Sequence, residues 1–336
     1  MKKIVSLIVT VSMILSASAA VFAESSLIQT DEKLNADFAA AMPAGFQLKD
    51  VKNTDKNPVP LDFSNNVLNM GVGTSSRYAL FSDTVYDMSA YGSYEIVYEC
   101  NLLSSGNCTN FIFGNYDKLD GNKAPLTGDE NVKSSYVVAI SPGDSQKNPN
   151  AKCYFYNRLT TSTEKELDGI RANKFLKYTL KVDLTKTENN VSFYAGDELI
   201  FTASDENPVT LAKVAIKTEY AKANVKNITL IGYKDYGIKY KIDGVSAAQM
   251  GEGTISAVLP KAVVSSKLSV IFAMYDADGN LLNAKIVRKD ELENNEIKLF
   301  TSDSEQNTLR AFIWDSLDSM NPQVDDTGNG LPAAVN

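Results

Sequence analysis

The chain contains no histidine. That excludes the Ser-His-Asp and Cys-His nucleophile systems, histidine-ligated zinc and the commonest general base. Carboxylate, tyrosine, lysine and arginine remain as groups able to do chemistry. Strand alternation over Ser93–Leu103 puts Glu95, Val97, Glu99 and Asn101 on one face, with Tyr94, Ile96, Tyr98 and Cys100 opposite. Four residues of strand separate Glu95 from Glu99 by about 13 Å. A retaining glycosidase needs its two carboxyl groups about 5–5.5 Å apart, and an inverting one about 6.5–9.5 Å. The spacing therefore makes the two glutamates cross-strand partners for Lys181 or Lys152 rather than a catalytic pair.

Asp117, Asp120 and Asp129 fall on one long loop that also carries Gly and Pro. Oxygen-rich loops of this kind can hold Ca2+, which takes six to eight hard ligands. Solvated loop charge, with no cofactor, is the expected reading of these three residues, and a structural Ca2+ held by them is the alternative. The segment Asp276-Ala-Asp278-Gly279-Asn280 is different. An EF-hand loop starting at Asp276 needs Gly at position six and an acid at position twelve, where Leu281 and Val287 stand. Asp-Gly between two apolar alternating runs is a hairpin turn instead.

Tyr154, Tyr156 and Arg158 alternate on one face of Lys152–Leu159, with Cys153, Phe155 and Asn157 opposite. Flat aromatic faces beside a few oriented polar groups suit the C–H side of a sugar ring. The candidate ligand set is Tyr154, Tyr156 and Arg158, joined by Tyr116, Tyr136, Glu99 and Asn110 on other strands or at their ends. The competing reading is a sandwich core that uses tyrosine, and Phe155 then marks the dry side. Trp314, the only tryptophan, shares a face with Phe312 and is expected to anchor the core of a second unit.

These residues must be positioned by strands. Alternating runs recur at Arg77–Ser82, Ser93–Leu103, Asn110–Asn115, Ser134–Ser141, Lys152–Leu159 and Phe175–Leu184. They continue at Asn190–Ala195, Glu198–Ala203, Leu211–Glu219 and Asn227–Gly232, separated by Gly, Asn, Asp and Pro clusters. Helical spacing occurs only near Thr30–Met42, where a short helix or an extended arm is expected. Strands without intervening helices mean an all-β sandwich or barrel. Turn residues near Tyr233–Gly237 divide residues 24–235 from a smaller β unit, 238–324, and 325–336 read as a disordered tail. The first 23 residues carry Lys2 and Lys3, a short apolar run over Ile4–Leu15 and an A-x-A-like site at Val21-Phe22-Ala23, the pattern of a cleaved secretory signal. Export is therefore expected, with no membrane span. The net charge of −8 becomes −10 without the two leader lysines, leaving 31 basic against 41 acidic side chains. This balance argues against nucleic acid and fits neutral glycans better than acidic ones. Export permits a Cys100–Cys108 disulfide across the intervening turn; three buried thiols are the alternative.

Tyr86–Glu99, Lys177–Leu184, the hairpin Val191–Phe201 around Gly196-Asp197, and Asn224–Leu230 together resemble a laminin-G/concanavalin A-like jelly roll. Ala273–Leu282 and Leu309–Pro322 resemble a fibronectin type III/immunoglobulin-like module of secreted polysaccharide-acting proteins from Gram-positive bacteria. The resemblances imply a jelly-roll β-sandwich followed by a smaller immunoglobulin/fibronectin-like sandwich. They also imply attachment to, or work near, polysaccharide. The expected function is non-catalytic binding of plant or cell-wall polysaccharide through the tyrosine-lined face. The alternatives are a polysaccharide lyase or glycoside hydrolase on the same fold, or a structural cell-surface protein. A lyase would use Tyr or Lys as base and Arg158 or Arg171 as neutraliser. Alginate-lyase jelly rolls place a histidine on a Gln-[Ile/Val]-His strand, which this chain cannot supply.

Overall fold

The structure, a computed structural model, describes residues 28–50, 59–71, 77–103, 108–114, 135–142, 151–156, 162–167, 172–264, 268–287, 292–317 and 322–324. The expected leader 1–23 and the stretch 325–336, with Tyr116, Asp117, Asp120, Asp129 and Arg158, lie outside these residues, as does the side chain of Tyr156. The chain folds as two units, the larger spanning Thr30–Tyr233 and the smaller beginning at Lys234.

In chain order the strands of the larger unit are β1 (Ile28–Asp37), β2 (Phe46–Asp50), β3 (Leu68–Met70), β4 (Arg77–Ser82), β5 (Tyr86–Asp87), β6 (Ser93–Leu102), β7 (Thr109–Gly114) and β8 (Ser135–Ser141). They continue with β9 (Ala151–Tyr156), β10 (Ser162–Leu167), β11 (Phe175–Asp183), β12 (Val191–Ala195), β13 (Glu198–Ala203), β14 (Leu211–Glu219) and β15 (Ala223–Asp235). Among the described residues they form two antiparallel sheets. One is seven-stranded, ordered β1-β15-β6-β11-β12-β13 with β3 beside β15; the other is eight-stranded, ordered β10-β9-β8-β7-β14-β4-β2 with β5 beside β14. The chain crosses between sheets after β1, β2, β3, β5, β6, β10, β13 and β14. The result is an all-β jelly-roll sandwich.

Alternation explains which side chains meet between the sheets. In β6, Tyr94, Ile96, Tyr98, Cys100 and Leu102 are all buried while their neighbours are partly exposed. Tyr178, Leu180 and Val182 of β11 and Phe193 of β12 face the same interior, where Phe111, Phe113, Tyr136 and Phe155 arrive from the opposite sheet. A bulge between Val225 and Asn227 keeps both Val225 and Ile228 inward and leaves Lys226 as the extra residue, turned out. Thr30–Met42 is not helical: Ile28–Asp37 is strand β1. Leu34 and Phe38 sit four residues apart, which imitates a helix, but both pack on the sandwich core. Pairing with β15 overrides local spacing there.

The smaller unit contains β16 (Lys239–Ile242), β17 (Val245–Ala247), β18 (Gly253–Val258), α1 (Lys261–Val264), β19 (Ser269–Tyr275), β20 (Leu281–Val287), β21 (Glu296–Ser302), β22 (Thr308–Trp314) and β23 (Pro322–Val324). Its described strands make two four-stranded sheets, β17-β16-β18-β21 and β20-β19-β22-β23. Leu309, Ala311 and Ile313 of β22 fill the core between them. Trp314 therefore does not anchor that core. Alternation turns it outward with Phe312, where it closes a separate cluster over Ile271 and Ile286. The Asp276 carboxylate is engaged within its own turn, accepting from the backbone N–H of Asp278 and Asn280 at 3.0 and 2.8 Å. The Asn280 amide leads these contacts in holding it below the usual carboxylate range. No helix among the described residues is long and apolar enough to cross a membrane.

The three cysteines are free. Cys100 points into the core from β6 and Cys153 from β9, in opposite sheets, while Cys108 precedes β7. Burial pushes the Cys153 thiol up to about 12 and, reinforced by the Glu219 carboxylate, the Cys108 thiol up to about 11. Burial raises Cys100 as well. The thiolate is the reactive form, so iodoacetamide at pH 8 is expected to label none of the three in the folded protein and all three in denaturant. Labelling of the folded protein at Cys100 or Cys153, seen by mass spectrometry, would contradict their burial.

Candidate functional site

The outward face of the seven-stranded sheet carries a groove of about 630 Å³. Its floor and walls follow from strand register. Thr229, Val97, Thr179 and Tyr194 stand opposite one another on β15, β6, β11 and β12, forming one row across four strands. A second row holds Ile231, Glu95, Lys181 and Ser192. A third holds Asn227, Glu99 and Lys177, with Gly196 donating its N–H to the Lys177 carbonyl at 2.8 Å. Thus β6 contributes a glutamate to each flanking row and β11 contributes the lysine opposite it. Phe175 lies at the start of β11, 45% exposed.

The two glutamates of the flanking rows are paired locally. Lys181 Nζ lies 3.1 Å from Glu95 Oε2 and 5.4 Å from the centre of the Tyr194 ring. Burial first, and then a hydrogen bond to Glu95, pushes the Tyr233 hydroxyl well above its ordinary range. Lys226, turned out by the bulge, donates to Glu99 Oε1 at 2.7 Å, and this hydrogen bond raises its own ammonium. Asn227 donates through its side-chain amide to Asn35 Oδ1 at 3.0 Å, leaving its carbonyl oxygen free to accept. The Glu95–Lys181 partnership expected from alternation is present; Lys152 belongs to the opposite sheet. The two glutamates remain four residues apart on one straight strand, about 13 Å, so they cannot act as a glycosidase pair.

Of the residues singled out from sequence, Glu99 lies in this groove. Tyr154 does not: it lies half-buried on the outward face of the eight-stranded sheet, opposite Ala139 and, beyond it, Asn110 and Lys217. Cys153 and Phe155 enter the core, as predicted for this strand. Tyr136 faces the interior, fully buried, with its hydroxyl donating to Asp205 Oδ2 at 2.8 Å, so it has no surface to offer a ligand. Asn110 is buried too and donates to the Lys217 carbonyl at 3.4 Å. Lys217 itself, almost inaccessible, pairs with Glu219 at 3.2 Å. The sequence-derived set is therefore split between opposite outer faces and the core.

Lys177, Thr179 and Thr229 line the groove but are not among the ligand residues expected from the sequence. The alternation of Phe175, Lys177, Thr179 and Lys181 was a usable signal, because a face bearing two lysines opposite a face bearing two glutamates forecasts their pairing. Among the described residues no group of three or more His, Cys, Asp or Glu side chains could hold a metal ion.

No protein-family model matches the chain, and no curated protein matches it. Among solved structures, the chain is similar to the Emp47p carbohydrate recognition domain at 9% identity, covering 59% of this chain and 94% of that one, with a TM-score of 0.41. It is similar to winged bean acidic lectin, solved with methyl-α-D-galactose, at 11% identity over 62% and 99% of the two chains, TM-score 0.42. A Bacillus subtilis protein of unknown function with a galectin-like fold matches at 11% identity over 64% and 99%, TM-score 0.45.

Proposed function

We propose that this is an exported, non-catalytic carbohydrate-binding protein of plant or cell-wall polysaccharide, and that the groove beside Tyr194 is its binding site. The observation that carries the reading is the composition of that groove. Hydroxyl, amide and ion-paired side chains surround an aliphatic and aromatic floor, at a volume typical of ligand sites. Such a surface can hydrogen-bond sugar hydroxyls and cover sugar C–H groups at once. The spacing of Glu95 and Glu99 favours binding over hydrolysis. The leader pattern of residues 1–23 supports export. The order β20-β19-β22-β23 against β16-β18-β21 supports a fibronectin-type module in the smaller unit.

Retention of the full chain on a panel of insoluble and soluble polysaccharides tests the reading. At least one panel member is expected to retain the protein, and Tyr194→Ala to weaken that retention at least tenfold, about 1.4 kcal/mol. Tyr154→Ala, on the opposite sheet, is expected to leave it unchanged. Loss with Tyr154→Ala instead would move the site to the other face. No retention by any polysaccharide would remove the reading.

A further inference from the structure

We infer that the groove takes a neutral, linear glycan lying across the strands along the Thr229–Val97–Thr179–Tyr194 row, in register with about three sugar rings. This rests on the carbohydrate reading and specifies its ligand. The argument begins with the direction of the floor. The four residues of that row stand on four adjacent strands, and three gaps of about 4.8 Å make a floor about 14 Å long. On either side, parallel to it, the rows through Glu95–Lys181 and Glu99–Lys177 rise as polar walls. A chain laid along a strand would have to cross both walls; a chain laid across the strands keeps its C–H faces on Val97 and the threonine methyls. Its hydroxyls then meet polar side chains on both edges.

The neutrality follows from how the charges are arranged. Glu95 is closed by Lys181 at 3.1 Å and Glu99 by Lys226 at 2.7 Å. Lys177 and Asp197, the two groove charges outside those ion pairs, are of opposite sign and lie at the same end. No net local field is left to attract a polyanion, and the chain as a whole carries −8. Hydroxyl groups suit the arrangement: they donate to the remaining lone pairs of the glutamates on β6 and accept from the ammonium groups on β11. A uronate carboxylate over β6 would instead lie between two carboxylates.

The test uses full-length protein with neutral probes (β-glucan, mannan, galactan, xylan) and acidic ones (polygalacturonate, alginate). The best-retained polysaccharide is expected to be neutral, with each acidic probe at least tenfold weaker. The dissociation constant should change less than twofold between 0.05 and 0.5 M NaCl. Soluble oligosaccharides of the retained polymer should gain affinity up to three sugars and then level off. Val97→Lys, on the floor, should reduce binding at least tenfold; Thr229→Lys is the second floor variant, and thermal melts report whether each folds. Preference for an acidic probe, or a steep salt dependence, overturns the neutral ligand while leaving carbohydrate binding intact. A plateau at one sugar, or unaltered binding by both folded floor variants, overturns the chain direction. Failure of every probe overturns the carbohydrate reading itself.

Discussion

Phe111→Ala is expected to destabilise the larger sandwich by about 3–5 kcal/mol, the range for deleting a buried aromatic from a packed core. Phe111 stands on β7, 2% exposed, where rings from the other sheet surround it. Its centroid lies 4.8 Å from that of Tyr178, nearly stacked, 5.1 Å from Tyr98 and 6.1 Å from Phe193. Three of these four rings belong to strands of the seven-stranded sheet, so Phe111 is a principal contact between the layers. Its removal leaves a cavity bordered by rigid rings, which relax little to fill it. Urea denaturation followed by far-ultraviolet circular dichroism measures the change. The midpoint should fall with the slope unchanged. A loss below about 1 kcal/mol would mean that the rings collapse into the space, contrary to the packing described.

Tyr136→Phe is expected to cost about 2 kcal/mol although it removes a single oxygen atom. That oxygen donates to Asp205 Oδ2 at 2.8 Å and accepts from the Val209 N–H at 3.2 Å. Asp205 is 7% exposed; its other carboxylate oxygen accepts from the Asn207 N–H at 2.9 Å. Its backbone is clamped by Asn190, which donates to its carbonyl and accepts from its N–H, each at 2.8 Å. Tyr94 completes the network by donating to the Val209 carbonyl at 2.6 Å. Phenylalanine would leave a buried carboxylate short of a donor and a buried N–H short of its acceptor, the expensive case for hydrogen-bond deletion. For a domain of this size the melting temperature should drop by roughly 4–8 °C. A cycle with Asp205→Asn separates the pair from its surroundings: non-additivity of about 1 kcal/mol or more is expected. Additive losses would show that the hydroxyl and carboxylate do not act as a unit.

The same tyrosine shows where sequence reading stops. β8 is buried on both faces from Ser135 to Ile140, so alternation within it marks no solvent side. Tyr136 and Val137 look equally suited to surface or core until β9 and β7 are placed beside them. In β6 and β9, by contrast, the polar and apolar positions differ strongly, and the faces predicted for Glu95, Glu99, Cys153 and Phe155 are those observed. The spacing of Leu34 and Phe38 leaves a helix and an extended arm both open, because one period of contact cannot tell a helix from an edge strand whose apolar residues reach inward; the extended form is the one observed.

From sequence alone came the all-β class, the positions of most strands, the exclusion of histidine chemistry and the wide spacing of Glu95 and Glu99. These are local properties: alternation and composition follow from the chain's own order. Which tyrosine meets solvent, and that Glu99 shares a groove with Tyr194 rather than with Tyr154, was decided by tertiary structure. Glu99 and Tyr194 are 95 positions apart in the chain, and the register of β6, β11 and β12 brings them onto one surface. Register between distant strands is a property of the packed sandwich, set by which faces must be buried together.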